Sequence, residues 1–152
     1  MQSVFFDSIL CPTDFSACSG NALRWAIWLA SSHKKPLRLL HSVHLDMPAY
    51  VTPDIRNQIQ EQWERVRRDA EDNLKTWAGP HLPEGLEVRY EISDAPPVEA
   101  VVASAHRDNA WVVMGTHGRT GWRQVWMGSV TTRTIELAKV PVLAIPPDRQ
   151  LC

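Results

Sequence analysis

The sequence predicts a single α/β domain across residues 1–152: an open five-stranded parallel sheet, doubly wound in the order 3-2-1-4-5, with helices on both faces. Three observations carry this. Short apolar runs alternate with helical patterns in the order β-α-β-α-β-α-β-α-β, and strands separated by helices return parallel, through right-handed crossovers. One run, Trp111–Met114, is continuously apolar, as in a central strand buried on both faces, whereas Leu86–Ile92 alternates, as at a sheet edge. The 152 residues, 44% of them hydrophobic, suffice for one core, and no linker, low-complexity tract or internal repeat divides them.

Taken in order, Val4–Leu10 reads as the first strand, followed by a helix from Ser16 to about His33. Ala22, Leu23, Ala26, Ile27 and Ala30 recur at helical spacing there, and Ser16 or Ser19 is the candidate cap. Leu37–Val43 is the second strand. Pro53 opens a long helix whose stripe of Ile55, Ile59, Trp63, Val66, Ala70, Leu74 and Trp77 keeps to one face until Gly79-Pro80 ends it. After Leu86–Ile92, Pro96 and Pro97 start a helix to about His106. Trp111–Met114 is the fourth strand, a helix runs from Gly128-Ser129 to about Lys139, and Val140–Ile145 is the last strand. Five tryptophans, Trp25, Trp28, Trp63, Trp77 and Trp111, fall at core-facing or helix-packing positions.

Composition narrows the function. A net charge of −1 supplies no basic excess for nucleic acid. No run reaches the ~18 consecutive apolar residues of a membrane span, and the N-terminus lacks the charge and apolar pattern of a signal peptide. Three cysteines without CxxC spacing argue against a disulfide scaffold or a zinc site and for the cytoplasm; Cys11 reads as a small core residue. His41 and His44 on a strand end face opposite ways and lack a third ligand, so no metal site is expected.

In a sheet of this order the ligand site lies outside the carboxyl ends of the first and fourth strands, where strand order reverses. Pro12–Ser16 and Gly115–Gly118 occupy those places. Gly115 and Gly118 leave room for positive φ and for a close approach of backbone N–H groups to an anion. Gly128-Ser129 opens the next helix, whose free N–H groups and dipole favour phosphate. Together these devices can hold one polyphosphate from two sides. Asp14 serves either as a ligand contact or as a cap of the first helix. Arg119 and Arg123 either reach phosphate or are solvated. Trp122 and Trp126 either pack the loop onto the fold or form a partner surface. The stretch His44–Thr52 is long enough for a lid over the ligand.

The stretch GTHGRTGWRQVWMGSV resembles the G-x-x-G-x(9)-G-[ST] signature of the universal stress protein family, matched at Gly115, Gly118, Gly128 and Ser129. The resemblance extends to ILCPTDFSACSGNALRWA, LLHSV and VPVLAIPP, nearly the whole chain, and is to the ATP-binding branch of the family. It implies binding of ATP or another adenine nucleotide, with Mg²⁺ or Mn²⁺ carried on the phosphates, by a stress-response protein. On matching positions, Pro12, Thr13 and Asp14 would meet adenine, as would the backbone at Ser42, where an apolar residue is usual. Met114 and Gly115 would approach the ribose. His117, Gly118, Arg119, Gly128, Ser129 and Val130 would surround the phosphates. Ser93-Asp94-Ala95-Pro96 departs from the family's GxP pattern. The apolar last strand at the sheet edge, with the resemblance, implies a homodimer through Val140–Ile145.

Rival readings fare worse. Adenylating ligases of this layout carry an SGGxDS-type loop where PTDFSA stands, and nucleotidylyl transferases carry an HxGH pair. A phospho-receiver domain needs clustered carboxylates and a lysine after the last strand, whereas Lys139 precedes it. Asp and Glu are absent from Gly115 to Val130, so a group to position water is missing and any ATP hydrolysis should be slow.

Overall fold

The computed structural model describes residues 5–44, 53–117 and 127–147. Its elements follow the expected order: β1 (Ser8–Pro12), α1 (Ala17–His33), β2 (Leu37–Ser42), α2 (Pro53–Ala78), a 3-10 turn at Gly79–His81, β3 (Val88–Ser93), α3 (Pro97–Arg107), β4 (Ala110–Gly115), α4 (Ser129–Leu137) and β5 (Val142–Ile145). The sheet is parallel throughout, in the order β3-β2-β1-β4-β5.

Strand alternation divides the core in two. Ile9, Cys11, Leu37, Leu39 and Val113 pack with α1 residues Ala22, Leu23 and Ala26 and with Leu74 and Ala78 of α2. Leu10, Leu40, Val112 and Met114 point to the opposite face, against Ala100, Val101 and Ala105 of α3. The apolar α2 stripe behaves as its spacing predicts: Leu74 is buried, and Ile59, Trp63, Val66, Ala70 and Trp77 are half-buried. The side chain of Ile55 lies outside the described residues.

Several expectations are corrected. β1 is not Val4–Leu10 but Ser8–Pro12. Phe5 is 75% exposed, while Phe6 leaves the strand ladder to stack on Trp111, ring centroids 4.3 Å apart. β3 begins at Val88, after the turn around Gly85 (φ +81°). β5 begins at Val142, because Lys139 in the left-handed region (φ +50°) turns the chain and Pro141 offers no N–H to the ladder. Trp25 and Trp28 are not core residues: they are 48% and 58% exposed and meet edge to face at 6.1 Å. The small side chains of α1 (Ala22, Ala26, Ala30) take the buried face, which rotates both tryptophans outward.

Arg38 is fully buried on β2, 1% exposed, and fixes the β3–α3 side of the sheet. Its Nε donates to Glu91 Oε1 (2.6 Å), its Nη1 to Ser104 O (3.0 Å) and its Nη2 to Ser104 Oγ (2.5 Å); Nη2 also lies 3.1 Å from Asp108 Oδ2. Burial pushes the Glu91 carboxyl upward, but hydrogen bonds from Arg38 and Ser104, the charge of Arg38 and a bond from Arg107 outweigh it and hold the group below the usual carboxylate range. Among the described residues no helix is long and apolar enough to cross a membrane.

Candidate functional site

A cavity of about 310 Å³ opens outside the carboxyl ends of β1 and β4, between the start of α1 and the start of α4. It occupies the crevice where strand order reverses. Ten of the twelve residues named from the sequence line it: Pro12, Thr13 and Asp14 after β1, Ser42 at the end of β2, Met114, Gly115 and His117 at the end of β4, and Gly128, Ser129 and Val130 at the start of α4. Gly118 and Arg119 lie outside the described residues. So do Gly121, Trp122, Arg123 and Trp126, and residues 45–52 of the suggested lid.

The segment after β1 is held by its own side chains. Ser16 caps α1, its Oγ accepting from Ser19 N at 3.2 Å. Asp14 Oδ1 accepts from Ser16 N (3.0 Å) and Ser19 Oγ (2.5 Å). One oxygen of the Asp14 carboxylate therefore braces the turn into α1, although the residue also lines the cavity. Between them, Phe15 holds the left-handed region (φ +64°), a strained position for a bulky residue. Packing keeps it there: its ring lies 4.5 Å from that of His41 and 5.6 Å, edge on, from that of Trp77.

The opposite wall is the start of α4. Gly128 is its N-cap in an extended conformation (φ −66°, ψ 154°), with no capping side chain, and the first turn has no acidic residue. A helix leaves its first N–H groups without intrahelical partners. At Ser129, Val130 and Thr131 these groups belong to residues that line the cavity, a ready anion site. The loop between β4 and α4 is closed at its base by Gly128 N donating to Thr116 O at 2.6 Å and by Thr131 Oγ1 donating to Gly115 O at 2.8 Å.

Two glycines do something other than expected. Gly115 does not adopt positive φ; among the described glycines only Gly85 does. A Cβ at Gly115 would come within 3.1 Å of the backbone C and O of Cys18, so this glycine admits the close approach of β4 and α1. A Cβ at Gly128 would stand 3.2 Å from Thr116 O, against the closing bond of the loop.

Sequence reasoning missed several lining residues: Ser19, Leu40, His41, Pro97, Val101 and Thr131. Leu40, Pro97 and Val101 form an apolar wall that no motif marks. The sequence marks His41 only as a possible metal ligand, yet its Nδ1 lies 2.8 Å from Thr13 O, while His44 Nδ1 lies 2.8 Å from Asp94 O. Thr131, two residues beyond the Gly-Ser pair, was within reach of the motif. Asp14 is the one carboxylate among the described lining residues. Cys11, at the end of the same strand, is fully buried, and burial pushes its thiol up to about 12, a state in which it is inert.

Comparison with known proteins gives a consistent result. The model of the universal stress protein family matches residues 5–146. Universal stress protein MJ0531 of Methanocaldococcus jannaschii is 27% identical over 155 residues, covering 95% of this chain and 85% of its own length. Universal stress protein MJ0577 of the same organism is 26% identical over 159 residues, covering 95% of this chain and 97% of its own. The solved structure of MJ0577 superposes with a TM-score of 0.78 at 23% identity, covering 95% of this chain and 98% of that one. A universal stress protein from Archaeoglobus fulgidus, solved in complex with dAMP, shares the fold at a TM-score of 0.55 and 20% identity, covering 92% and 98% of the two chains.

Proposed function

The chain belongs to the universal stress protein family, and from that premise we propose that it binds ATP or another adenine nucleotide in the cavity between β1 and α4 and acts as a nucleotide-responsive regulatory protein. The observation that carries this reading is the uncapped N-terminus of α4, which shares one cavity with the Pro12–Asp14 turn at the switch point of the sheet. The volume of about 310 Å³ is at the lower end of the range for small-molecule sites. A relative of the same fold is described in complex with dAMP, which supports an adenine nucleotide over other anions.

In this reading the base lies between Pro12, Thr13 and the end of β2, against the apolar wall of Leu40 and Val101. The ribose lies over Met114 and Gly115. The phosphates meet His117, Ser129 and Val130, to which the sequence motif alone adds Gly118 and Arg119, and Mg²⁺ or Mn²⁺ would be carried on the phosphates. Among the described residues no group of three His, Cys, Asp or Glu side chains comes together to hold a metal by itself. Binding without efficient turnover fits the lining: Asp14 is its one described carboxylate, and Asp14 Oδ1 is occupied by Ser16 and Ser19.

The same reading includes a homodimer through the β5 edge. Among the described residues, five of the six exposed large hydrophobic ones lie on α1, α4 and β5: Trp25, Trp28, Ile135, Leu137 and Leu143. Asn21, Trp25 and Trp28 share one face of α1, and Asn21 Nδ2 donates to Pro146 O just beyond β5. An open strand edge flanked by apolar side chains invites pairing with a second copy.

The nucleotide reading is tested by calorimetric titration of the purified protein with Mg-ATP, beside Gly118→Val, and by analysis of nucleotide released on denaturation. Saturable binding by the parent protein that the valine variant loses is the expected result. No binding, or equal binding by both, overturns the assignment. Phosphate release above the spontaneous rate would instead favour an ATPase.

A further inference from the structure

Two departures from the family pattern, Ser42 and the Ser93–Pro96 turn, meet in the structure. Ser42 Oγ donates to Ala95 O at 2.7 Å. Val43 N donates to Ser93 O at 2.8 Å, and Ala95 N to Ser93 Oγ at 3.2 Å, so the turn between β3 and α3 is fixed from both sides. A hydroxyl has one proton and two lone pairs. With its proton on Ala95 O, Ser42 Oγ presents only acceptor capacity to a ligand in the cavity it lines.

The neighbouring groups are biased the same way. His41 Nδ1 lies 2.8 Å from Thr13 O, which can only accept, so the Nδ1 proton is spent there and is not offered to a ligand. Pro12 has no N–H. The Thr13 N–H is committed to Leu40 O at 2.8 Å. Leu40 and Val101 are apolar. The described residues at this end of the cavity thus favour a ligand edge that donates.

We propose that Ser42 selects the nucleobase, its Oγ accepting from an exocyclic amino group, so that the site takes 6-aminopurine nucleotides and rejects 6-oxopurine nucleotides. The inference rests on the nucleotide reading above. A 6-oxo oxygen turns a lone pair toward the Ser42 oxygen and leaves both acceptors unpaired, which disfavours that nucleotide by about tenfold to a hundredfold.

The test is calorimetric titration of the full chain with Mg-ATP and Mg-ITP, for the parent protein, Ser42→Ala and Ser42→Thr, with thermal melting to confirm folding. The parent protein should prefer ATP at least tenfold. Ser42→Thr keeps the hydroxyl and the preference. Ser42→Ala brings the two affinities within about threefold of one another. If Ser42 only tethers the 93–96 turn, Ser42→Ala weakens both nucleotides equally and leaves the ratio unchanged, which overturns the proposal. A parent protein that binds ATP and ITP alike overturns it whatever the variants do. A parent protein that binds neither overturns the nucleotide reading itself.

Discussion

Replacing Ser129 with glutamate places a carboxylate in the first turn of α4, where the structure has no acidic residue and no capping side chain. The residue is exposed, so the substitution leaves the core intact. Two consequences of opposite sign follow. The carboxylate complements the positive end of the helix dipole and stabilises the unliganded fold by about 0.3–1 kcal/mol. It also repels a phosphate at the same N–H groups. Two unit charges about 5 Å apart at an effective dielectric of about 20 repel by about 3 kcal/mol, and exposure to solvent roughly halves this. The expected effect is a loss of ATP affinity of about tenfold to a hundredfold, together with an unchanged or slightly raised Tm without nucleotide. Ser129→Ala separates charge from lost hydroxyl and should cost less than tenfold. Calorimetry at two salt concentrations measures the effect, and the gap between parent and variant should narrow at the higher salt. An unchanged ATP affinity in a well-folded Ser129→Glu protein refutes the placement of phosphate at α4.

Four other outcomes are expected. Glu91 is held below its ordinary range, so its contribution is fully present above the unfolded value of about 4.3 and is lost as pH falls toward the lower folded value; urea midpoints of the parent protein and Glu91→Gln should differ at neutral pH and converge in acid. Arg38→Met leaves Glu91 without its buried partner and should destabilise by about 3 kcal/mol in the same assay. Gly115→Ala drives a Cβ to 3.1 Å from the Cys18 backbone and should lower stability by about 1–3 kcal/mol; a variant as stable as the parent removes the packing explanation for this glycine. Analytical ultracentrifugation should show a dimer at micromolar concentration that Leu143→Glu, at an exposed edge position, converts to monomer, and a monomeric parent protein removes the β5 interface.

Most of the fold was legible because hydrophobic periodicity is a local property. The continuous run at Trp111–Met114 marked a central strand, and the α2 stripe through Leu74 and Trp77 marked a buried face, without reference to any distant residue. The candidate cavity was legible for a different reason. Strand order fixes where a parallel sheet opens, and the family signature falls on that opening, so Thr13, His117 and Ser129, all marked by the sequence, line the same cavity.

What the periodicity could not carry was contact between elements distant in sequence. Trp25 and Trp28 fit an apolar helix, and only the packing of Ala22 and Ala26 against the sheet turned them outward. The glycine at 115 suggested a flexible turn, and only the approach of α1 showed that it makes room for Cys18. Ser42 and the Ser93–Pro96 turn stood as two unconnected departures until the contact with Ala95 gave the Ser42 hydroxyl a direction. The sequence by itself determined the elements, their order and the place of the candidate cavity, because these follow from local patterning and from the handedness of crossovers. Tertiary structure alone decided which side chains face one another there, because a hydrogen bond or a close contact depends on distances that chain position does not encode.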